Sequence, residues 1–478
     1  MVDFTGMTLE QLENFDRTTL DTKERKKLKR KLGKIRKKAQ AQGSAHTANS
    51  TNPLEGNSFI KQPVAPKFFS EKPEQLEGAV QPLFIGTDNP RPIIEHSDQY
   101  ITPIEGEYNL DMNWAGPETP VVMQYPNGFP TGEWQPYAGS KNTNMAEALE
   151  SERVMNSSEY AISCLRRGAA VHRQTRRWIQ SFIKPGMDIS SCVDHVDRTN
   201  RKLIGYDPLN PTACGLAFPC GMSVNECAAH YQPMPGETRI FNKSDVVKVD
   251  FGTHVDGFVI DSAFTVAWDD EYLALLDCAR DATNTGIATA GADVRLCDVG
   301  EAIEEVMLSY TVAGKQVQPV RNLTGHMVGK YRVHAGKSIP LYNNNDTTKM
   351  LEGETYALET FASTGLGVVD HDGPSSHFMI NFAKFNEPIN NRKERDLMAV
   401  LKNQFSSLAW CHRWLKQIGT TKYMPTLRNL IRNNFVNDYP PLTDFGKENG
   451  KACHVAQFEH TFIIGDTGKE VFTRCDDY

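Results

Sequence analysis

Two apolar runs flank Asp256-Gly257: Val246-Val247-Lys248-Val249-Asp250-Phe251-Gly252 before it, and Phe258-Val259-Ile260-Asp261-Ser262-Ala263-Phe264-Thr265-Val266 after it. β-Branched and aromatic residues at this density read as strands, and Asp-Gly favours a two-residue hairpin turn. Such a turn sets the register. Val255 faces Phe258, Gly252 faces Asp261, and Asp250 falls two residues from Gly252 on the sheet face that Asp261 shares. The two carboxylates are then diagonal neighbours, about 7–8 Å apart at the backbone. Like charges this close on a half-buried face are unfavourable unless something positive lies between them. A cation is the simplest answer.

Three further residues of metal-ligand type sit in comparable settings. Glu359 lies in the strand-like run Thr355-Tyr356-Ala357-Leu358-Glu359-Thr360-Phe361. Glu459 lies in Ala456–Ile464, where Gln457, Glu459 and Thr461 alternate with Phe458, His460 and Phe462 to give a polar face and an apolar one. His326 stands between Gly325 and Gly329, whose small size lets backbone and ligand approach closely. Four carboxylates and one imidazole form a hard donor set, suited to Mn²⁺, Fe²⁺ or Co²⁺ rather than to a thiolate-bound structural zinc. Four carboxylates exceed what one divalent ion needs for charge balance, and two ions about 3.5–4 Å apart compensate them better. Taken singly, an acidic residue on a strand is ordinarily solvent-facing and a lone histidine structural, and spacing alone does not gather the five into one site. The sequence holds no His-Glu-x-x-His, Gly-x-Ser-x-Gly, phosphate-loop or paired Cys-x-x-Cys motif. Cys214, Cys220 and Cys227 are spaced wrongly for zinc and read as free thiols.

The 478 residues allow two or three domains. Apolar runs fall short of the roughly 18 residues that span a bilayer. The start of the chain lacks a secretory pattern, and ten scattered cysteines suit a reducing cytosol, which gives a cytoplasmic expectation. Residues 23–38 hold eleven Lys/Arg and one Glu, a local charge of +10 against −17 on the rest of a chain whose total is −7. This basic arm, within a helical-looking stretch 9–40, suits a polyanionic partner or a solvated, solubilising tail. The organisation expected is an arm at 1–45, a low-order linker at 46–119 that gains order near Val121–Pro126, and a catalytic domain at 120–478. Within that domain, helices are expected at 144–168, 169–182, 270–289 and 295–310, and strands dominate from Val246 onward. Apolar residues at helical spacing over 392–435 read as a compact helical insertion between β-rich parts. The mixture of helices with antiparallel hairpins argues for an α+β fold.

The runs around these residues resemble the type 2 methionine aminopeptidases. The likeness is carried by Leu216-Ala217-Phe218-Pro219, Cys227-Ala228-Ala229-His230-Tyr231, Val249-Asp250-Phe251-Gly252-Thr253-His254 and Ile260-Asp261-Ser262-Ala263-Phe264. It continues through Arg321-Asn322-Leu323-Thr324-Gly325-His326, Arg332-Val333-His334-Ala335-Gly336-Lys337, Ala357-Leu358-Glu359-Thr360-Phe361, Tyr439-Pro440-Pro441-Leu442 and Gln457-Phe458-Glu459-His460-Thr461, over roughly 120–478. The resemblance implies a pita-bread fold: a pseudo-two-fold curved antiparallel sheet with outer helices, and a helical insertion at 381–450 that separates type 2 from type 1. It implies a dinuclear centre of two divalent ions (Mn²⁺, Co²⁺, Fe²⁺ or Zn²⁺) on Asp250, Asp261, His326, Glu359 and Glu459. The implied reaction is removal of the initiator methionine from nascent chains by a metal-bridging hydroxide. Glu359 is then also the proton shuttle, and His230 and His334 are substrate-facing histidines that act on the scissile amide and the tetrahedral intermediate. Phe218, His377, Ala409 and Tyr439 match substrate-pocket positions, and the basic arm resembles extensions associated with ribosomes. A monomer is the family expectation. Departures are Met327 after the metal-type histidine, where relatives usually have Ser, and Met222 and Met234-Pro235 in a loop usually written differently; none removes a ligand. The rival expectations are a non-catalytic pita-bread protein that binds RNA or ribosomes, and an Xaa-Pro peptidase of the same fold.

Overall fold

A computed structural model describes residues 117, 119–137, 157–448 and 450–478, all within one compact unit. The basic arm, nearly all of the linker, and residues 144–156 of the first expected helix lie outside the described residues.

The first half is built on the hairpin. Strands β1 (Cys214–Val224), β2 (Val246–Val255) and β3 (Phe258–Ala267) form a three-stranded antiparallel sheet in that order. The register is the one the Asp-Gly turn dictates: Val255 pairs with Phe258 and Gly252 with Asp261. Asp256 and Gly257 both have positive φ (49° and 79°), as a primed turn demands. Two helices cover the outer face, α1 (Glu159–Phe182) and α2 (Ile189–Ile204).

Helix α1 corrects one expectation. In place of a helix ending at Gly168 and a second beginning at Ala169, a single 24-residue helix runs through both. Gly168 is not a breaker. A Cβ there would meet Ile260 Cγ1 at 3.1 Å, so the bare backbone lets the helix lie close on β3. His172, fully buried, donates from Nε2 to the carbonyls of Phe251 (2.9 Å) and Ser262 (3.1 Å) and so ties α1 to both strands of the hairpin. Helix α2 drew no expectation. Asp188 caps its start by accepting from Ser191 N, and Gly205 in the left-handed region ends it.

The second half repeats the scheme with longer connections. Helices α3 (Leu273–Thr289) and α4 (Leu296–Ser309) precede β4 (Thr324–Val328) and β5 (Thr355–Ser363). These strands belong to a seven-stranded antiparallel sheet. His326 therefore sits on a strand. Thr283 of α3 hydrogen-bonds Thr360 Oγ1 and the Phe458 carbonyl, each at 2.9 Å, the counterpart of the His172 tie.

The insertion is mixed rather than wholly helical. Strand β6 (His377–Ile380) leads into it, followed by α5 (Arg392–Phe405), β7 (Trp410–Cys411), α6 (His412–Gln417), α7 (Met424–Arg432) and β8 (Val436–Tyr439). Strands β7 and β8 flank β6 in a small sheet. Two residues are too short to register as a strand in a periodicity reading, and β7 exists because β6 offers it a partner.

The chain then enters β9 (Val455–Ile464), which pairs with β5 residue for residue from Val455–Ser363 to Ile463–Thr355, and with β10 (Gly468–Val471) on its other side. β9 meets β3 of the first half, although the two belong to separate sheets. Side-chain hydroxyls stitch this seam. Thr461 Oγ1 accepts from Asp261 N (2.8 Å) and donates to its carbonyl (2.5 Å). Ser262 Oγ donates to the Glu459 carbonyl (2.6 Å), and Thr265 Oγ1 donates to the Gln457 carbonyl (2.7 Å) while accepting from Gln457 N (2.8 Å). The backbone groups left over where the two sheets diverge are thus satisfied without a ladder. The architecture is the pita-bread α+β fold.

Candidate metal centre and substrate cavity

All five metal-type residues project from strands at this seam. Glu359 and Glu459 are direct cross-strand partners, and His326 pairs with Ala357, two residues from Glu359 on the same face. From the other sheet come Asp250 and Asp261, diagonal across the hairpin. His326 Nε2 lies 3.5 Å from Asp261 Oδ2 and 3.9 Å from Glu359 Oε1. Two ligand-type groups result, Asp261–His326–Glu459 and Asp250–Glu359–Glu459. Within each, one donor atom per residue lies within 4.8 Å of the others, and Glu459 belongs to both.

The electrostatics of the cluster favour a bound cation. Burial pushes Asp250 up to about 7. Asp261, Glu359 and Glu459 are raised well above the usual carboxylate range, first by burial and then by the charge of neighbouring carboxylates, Asp250 among them. Asp250 Oδ1 and both oxygens of Glu459 are buried without a hydrogen-bond partner. An unmatched buried carboxylate is costly, and a bound divalent ion removes that cost. The donor set therefore fits metal.

A cavity of about 240 Å³ opens onto the cluster. It is lined by all five of these residues and by Phe218, His230, His334, His377, Ala409 and Tyr439, so every site residue expected from sequence faces one space. Pro219, Leu323, Val333, Phe361 and Met379 complete the apolar wall. These five drew no expectation, though alternation on β6 does put Met379 on the face of His377. The histidines differ in environment. His377 donates from Nε2 to the Pro219 carbonyl (3.2 Å) and receives the Ser376 hydroxyl at Nδ1 (2.8 Å), so both of its nitrogens are used in the wall. His230 is held at φ 64°, a conformation L-residues rarely adopt outside turns and sites. Its ring lies 5.6 Å from that of Tyr439, edge to face. Burial, then His377, push its pKa down to about 3, so it is neutral. A neutral imidazole keeps one ring nitrogen with its lone pair. The ring of His334 lies 4.1 Å from that of His326.

The profile of Metallopeptidase family M24 matches residues 163–398. Methionine aminopeptidase 2A of Arabidopsis thaliana is 43% identical over 369 residues, covering 76% of this chain and 81% of that protein. This chain belongs to the methionine aminopeptidase 2 family. Methionine aminopeptidase 2 of Debaryomyces hansenii is 38% identical over 424 residues, 86% of this chain and 99% of that one. Among solved structures, that of a thermophilic Arx1 superposes with a TM-score of 0.53 at 14% identity, covering 64% of this chain and 88% of the other, a likeness of fold alone. Membership of a metallopeptidase family implies divalent metal ions, in accord with the donor chemistry of the cluster. Among the described residues no helix is long and apolar enough to cross a membrane.

Proposed function

We propose that this cavity hydrolyses the bond after an N-terminal methionine, with Asp250, Asp261, His326, Glu359 and Glu459 holding two divalent ions, which can be Mn²⁺, Co²⁺, Fe²⁺ or Zn²⁺. The observation that carries this reading is the shared position of Glu459 in two adjoining donor groups that line a largely apolar cavity. Ions bound there would generate a nucleophile from water near neutral pH and polarise the scissile carbonyl.

The protein's own groups do the rest. Phe218, Met379, Ala409 and the edge of His377 give a narrow apolar wall that suits an unbranched thioether side chain. His230 offers a lone pair, not a charge, so it accepts a hydrogen bond from the scissile N–H and orients the leaving nitrogen. His334 is placed to donate to the oxygen that gains charge in the tetrahedral intermediate. Glu359 takes a proton from the attacking water and returns it to the departing amine. Tyr439 buttresses His230.

The decisive experiment is release of methionine from Met-Ala-Ser by EDTA-treated protein with each ion added back, using Leu-Ala-Ser and Xaa-Pro peptides as controls. Metal-dependent, methionine-selective release is expected. Preference for Xaa-Pro, or no release with any ion from folded protein, overturns the reading. The basic arm at 23–38 supports a cytoplasmic role in which a monomer docks on ribosomal RNA close to emerging chains. Replacing its eleven Lys/Arg by Ser should leave peptide hydrolysis intact and abolish salt-sensitive co-sedimentation with ribosomes.

A further inference from the structure

Ser262 stands next to Asp261 on β3, and its hydroxyl donates across the seam to the Glu459 carbonyl at 2.6 Å. It therefore ties together the main chains of two carboxylates from opposite halves, whose donor atoms lie within 4.8 Å of one another. The Ser262 carbonyl is held as well, by His172 Nε2 of α1 at 3.1 Å. A further side chain meets the hydroxyl from behind. Tyr478 places its phenolic oxygen 3.0 Å from Ser262 Oγ, and Arg176 Nη1 of α1 lies 3.1 Å from the same phenol.

The direction of these bonds is forced. A serine hydroxyl has one hydrogen, and here the Glu459 carbonyl takes it. The phenol must then donate to Ser262 Oγ, and its own lone pair receives the guanidinium N–H. The result is a one-way chain from Arg176 N–H to Tyr478 O–H, to Ser262 O–H, to the Glu459 carbonyl. It begins on a buried cation, which Asp477 fixes by accepting from Nε and Nη2 at 2.5 and 2.7 Å. A charge at one end and a low dielectric along the way strengthen the links. The ring that carries the phenol is also held. Tyr478 is fully buried, stacked on His460 with centroids 4.6 Å apart, under the Arg176 guanidinium at 4.2 Å and edge to face with Phe458.

We propose that Tyr478 is a positioning residue of the metal centre, acting through Ser262 to set where Glu459 stands against Asp261. Its side chain lies outside the cavity lining and touches no donor carboxylate. Its phenol is the link between the Arg176 charge and the seam. The proposal rests on the metal-binding reading above and draws no distinction between ions. A loosened seam weakens the centre as a whole.

The test is calorimetric titration of metal-free protein with Mn²⁺, comparing wild type with Tyr478→Phe, Ser262→Ala and the double variant. Phenylalanine keeps the ring and removes only the hydroxyl. Thermal unfolding of the metal-free proteins is measured alongside. Tyr478→Phe should weaken Mn²⁺ binding by about 10-fold, the lower end of what groups that orient metal ligands contribute. Ser262→Ala should weaken it at least as much. Adding Tyr478→Phe to Ser262→Ala should then change affinity by less than about twofold, because the chain is already cut. A residue that only fills the core would lower Tm and leave affinity alone. Unchanged Mn²⁺ affinity in folded Tyr478→Phe therefore overturns the proposal, and so do losses that multiply in the double variant. If Tyr478→Phe does not fold, Ser262→Ala decides, and wild-type affinity there overturns the chain. Wild type that binds no Mn²⁺ refutes the metal-binding reading itself, and the proposal falls with it.

Discussion

The two halves of the molecule solve one problem by different routes. In the first half, Asp250 and Asp261 lie on a single hairpin, and a two-residue turn fixes their relation. In the second, Glu359 and Glu459 are direct partners on strands separated by the whole insertion, and only the ladder from Thr355–Ile463 to Ser363–Val455 aligns them. The local pair is cheap in chain entropy and robust. The distant pair must pay for closing a long loop and depends on register along its length. A one-residue slip between β5 and β9 would turn Glu459 off the shared face. Against that risk stand the hydroxyls of Ser262, Thr265 and Thr461, which lock β9 onto the robust hairpin. The precise half serves as a template for the vulnerable one.

Substitutions that break this comparison outright should have the largest effects. Glu459→Ala removes the residue common to both donor groups. Both ion-binding steps should vanish in calorimetry, and methionine release should fall by more than about 10³-fold, over 4 kcal/mol of barrier. Asp250→Ala, in contrast, should spare one ion step. If the two variants bind ions alike, the shared role of Glu459 is wrong.

His230→Ala comes next. Turnover should drop by about 10²- to 10³-fold with ion stoichiometry and thermal stability intact, because the group acts on substrate and not on metal. Near-normal turnover would exclude it from the reaction.

Two glycines sharpen the contrast between the halves. A Cβ at Gly325 would press on backbone of the distant pair's strand, 2.9 Å from the Ala357 carbonyl and 3.2 Å from Leu358 Cα. A Cβ at Gly252 would strike the Phe218 ring at 2.3 Å and Ala217 Cβ at 2.9 Å. Gly325→Ala should therefore shift His326 against Glu359 and weaken ion binding. Gly252→Ala should displace the cavity wall, raising KM for Met-Ala-Ser with smaller change in ion affinity. Each should cost about 1–3 kcal/mol of stability in denaturant titration. Equal effects on ion binding would show that the two halves respond alike.

The smallest effect is one of pH. In metal-free protein Asp250 is pushed up to about 7 by burial, above its unfolded value, so its contribution favours folding at low pH and is lost as pH rises from about 4 to 7. His254 and His377, pushed down to about 4 by burial, work in the opposite sense: their contribution is full above about 6.5 and is lost as pH falls toward 4. Added Mn²⁺ should therefore raise Tm more at pH 7.5 than at pH 5, where protons already neutralise the carboxylates. An ion at 100 times its Kd contributes about 2.7 kcal/mol. Equal shifts at both pH values would show that the carboxylates are not what the ion relieves.

Legibility in the sequence followed the same division. The hairpin, its register and the shared face of Asp250 and Asp261 were readable because a turn and period-2 alternation are local. Helices α3 and α4 were readable for the same reason. Gly168 misled, since a glycine that permits close packing on Ile260 looks in sequence like one that ends a helix. β7 was hidden because a two-residue strand is defined by its partner. Gln457, whose amide bridges Asp250 and Glu359, was visible only as one more polar residue on a polar face. His377 was read from the family resemblance as a pocket residue, and the structure shows that its nitrogens are already engaged by Pro219 and Ser376.

The sequence by itself determined the chemistry available to this protein: four acids and a histidine on strands, a hairpin that forces two of the acids together, and motifs dense enough to place the chain in its family. Tertiary structure alone decided that those donors gather at one seam, that Glu459 lies close to donors from both halves, and that the Gln457 amide bridges Asp250 and Glu359 across it. The reason is range. Turns and alternation act over a few residues, where the chain fixes its own geometry. The seam joins residues roughly 200 positions apart, and nothing but the packed sheets brings Thr461 to Asp261 or Gln457 to Asp250.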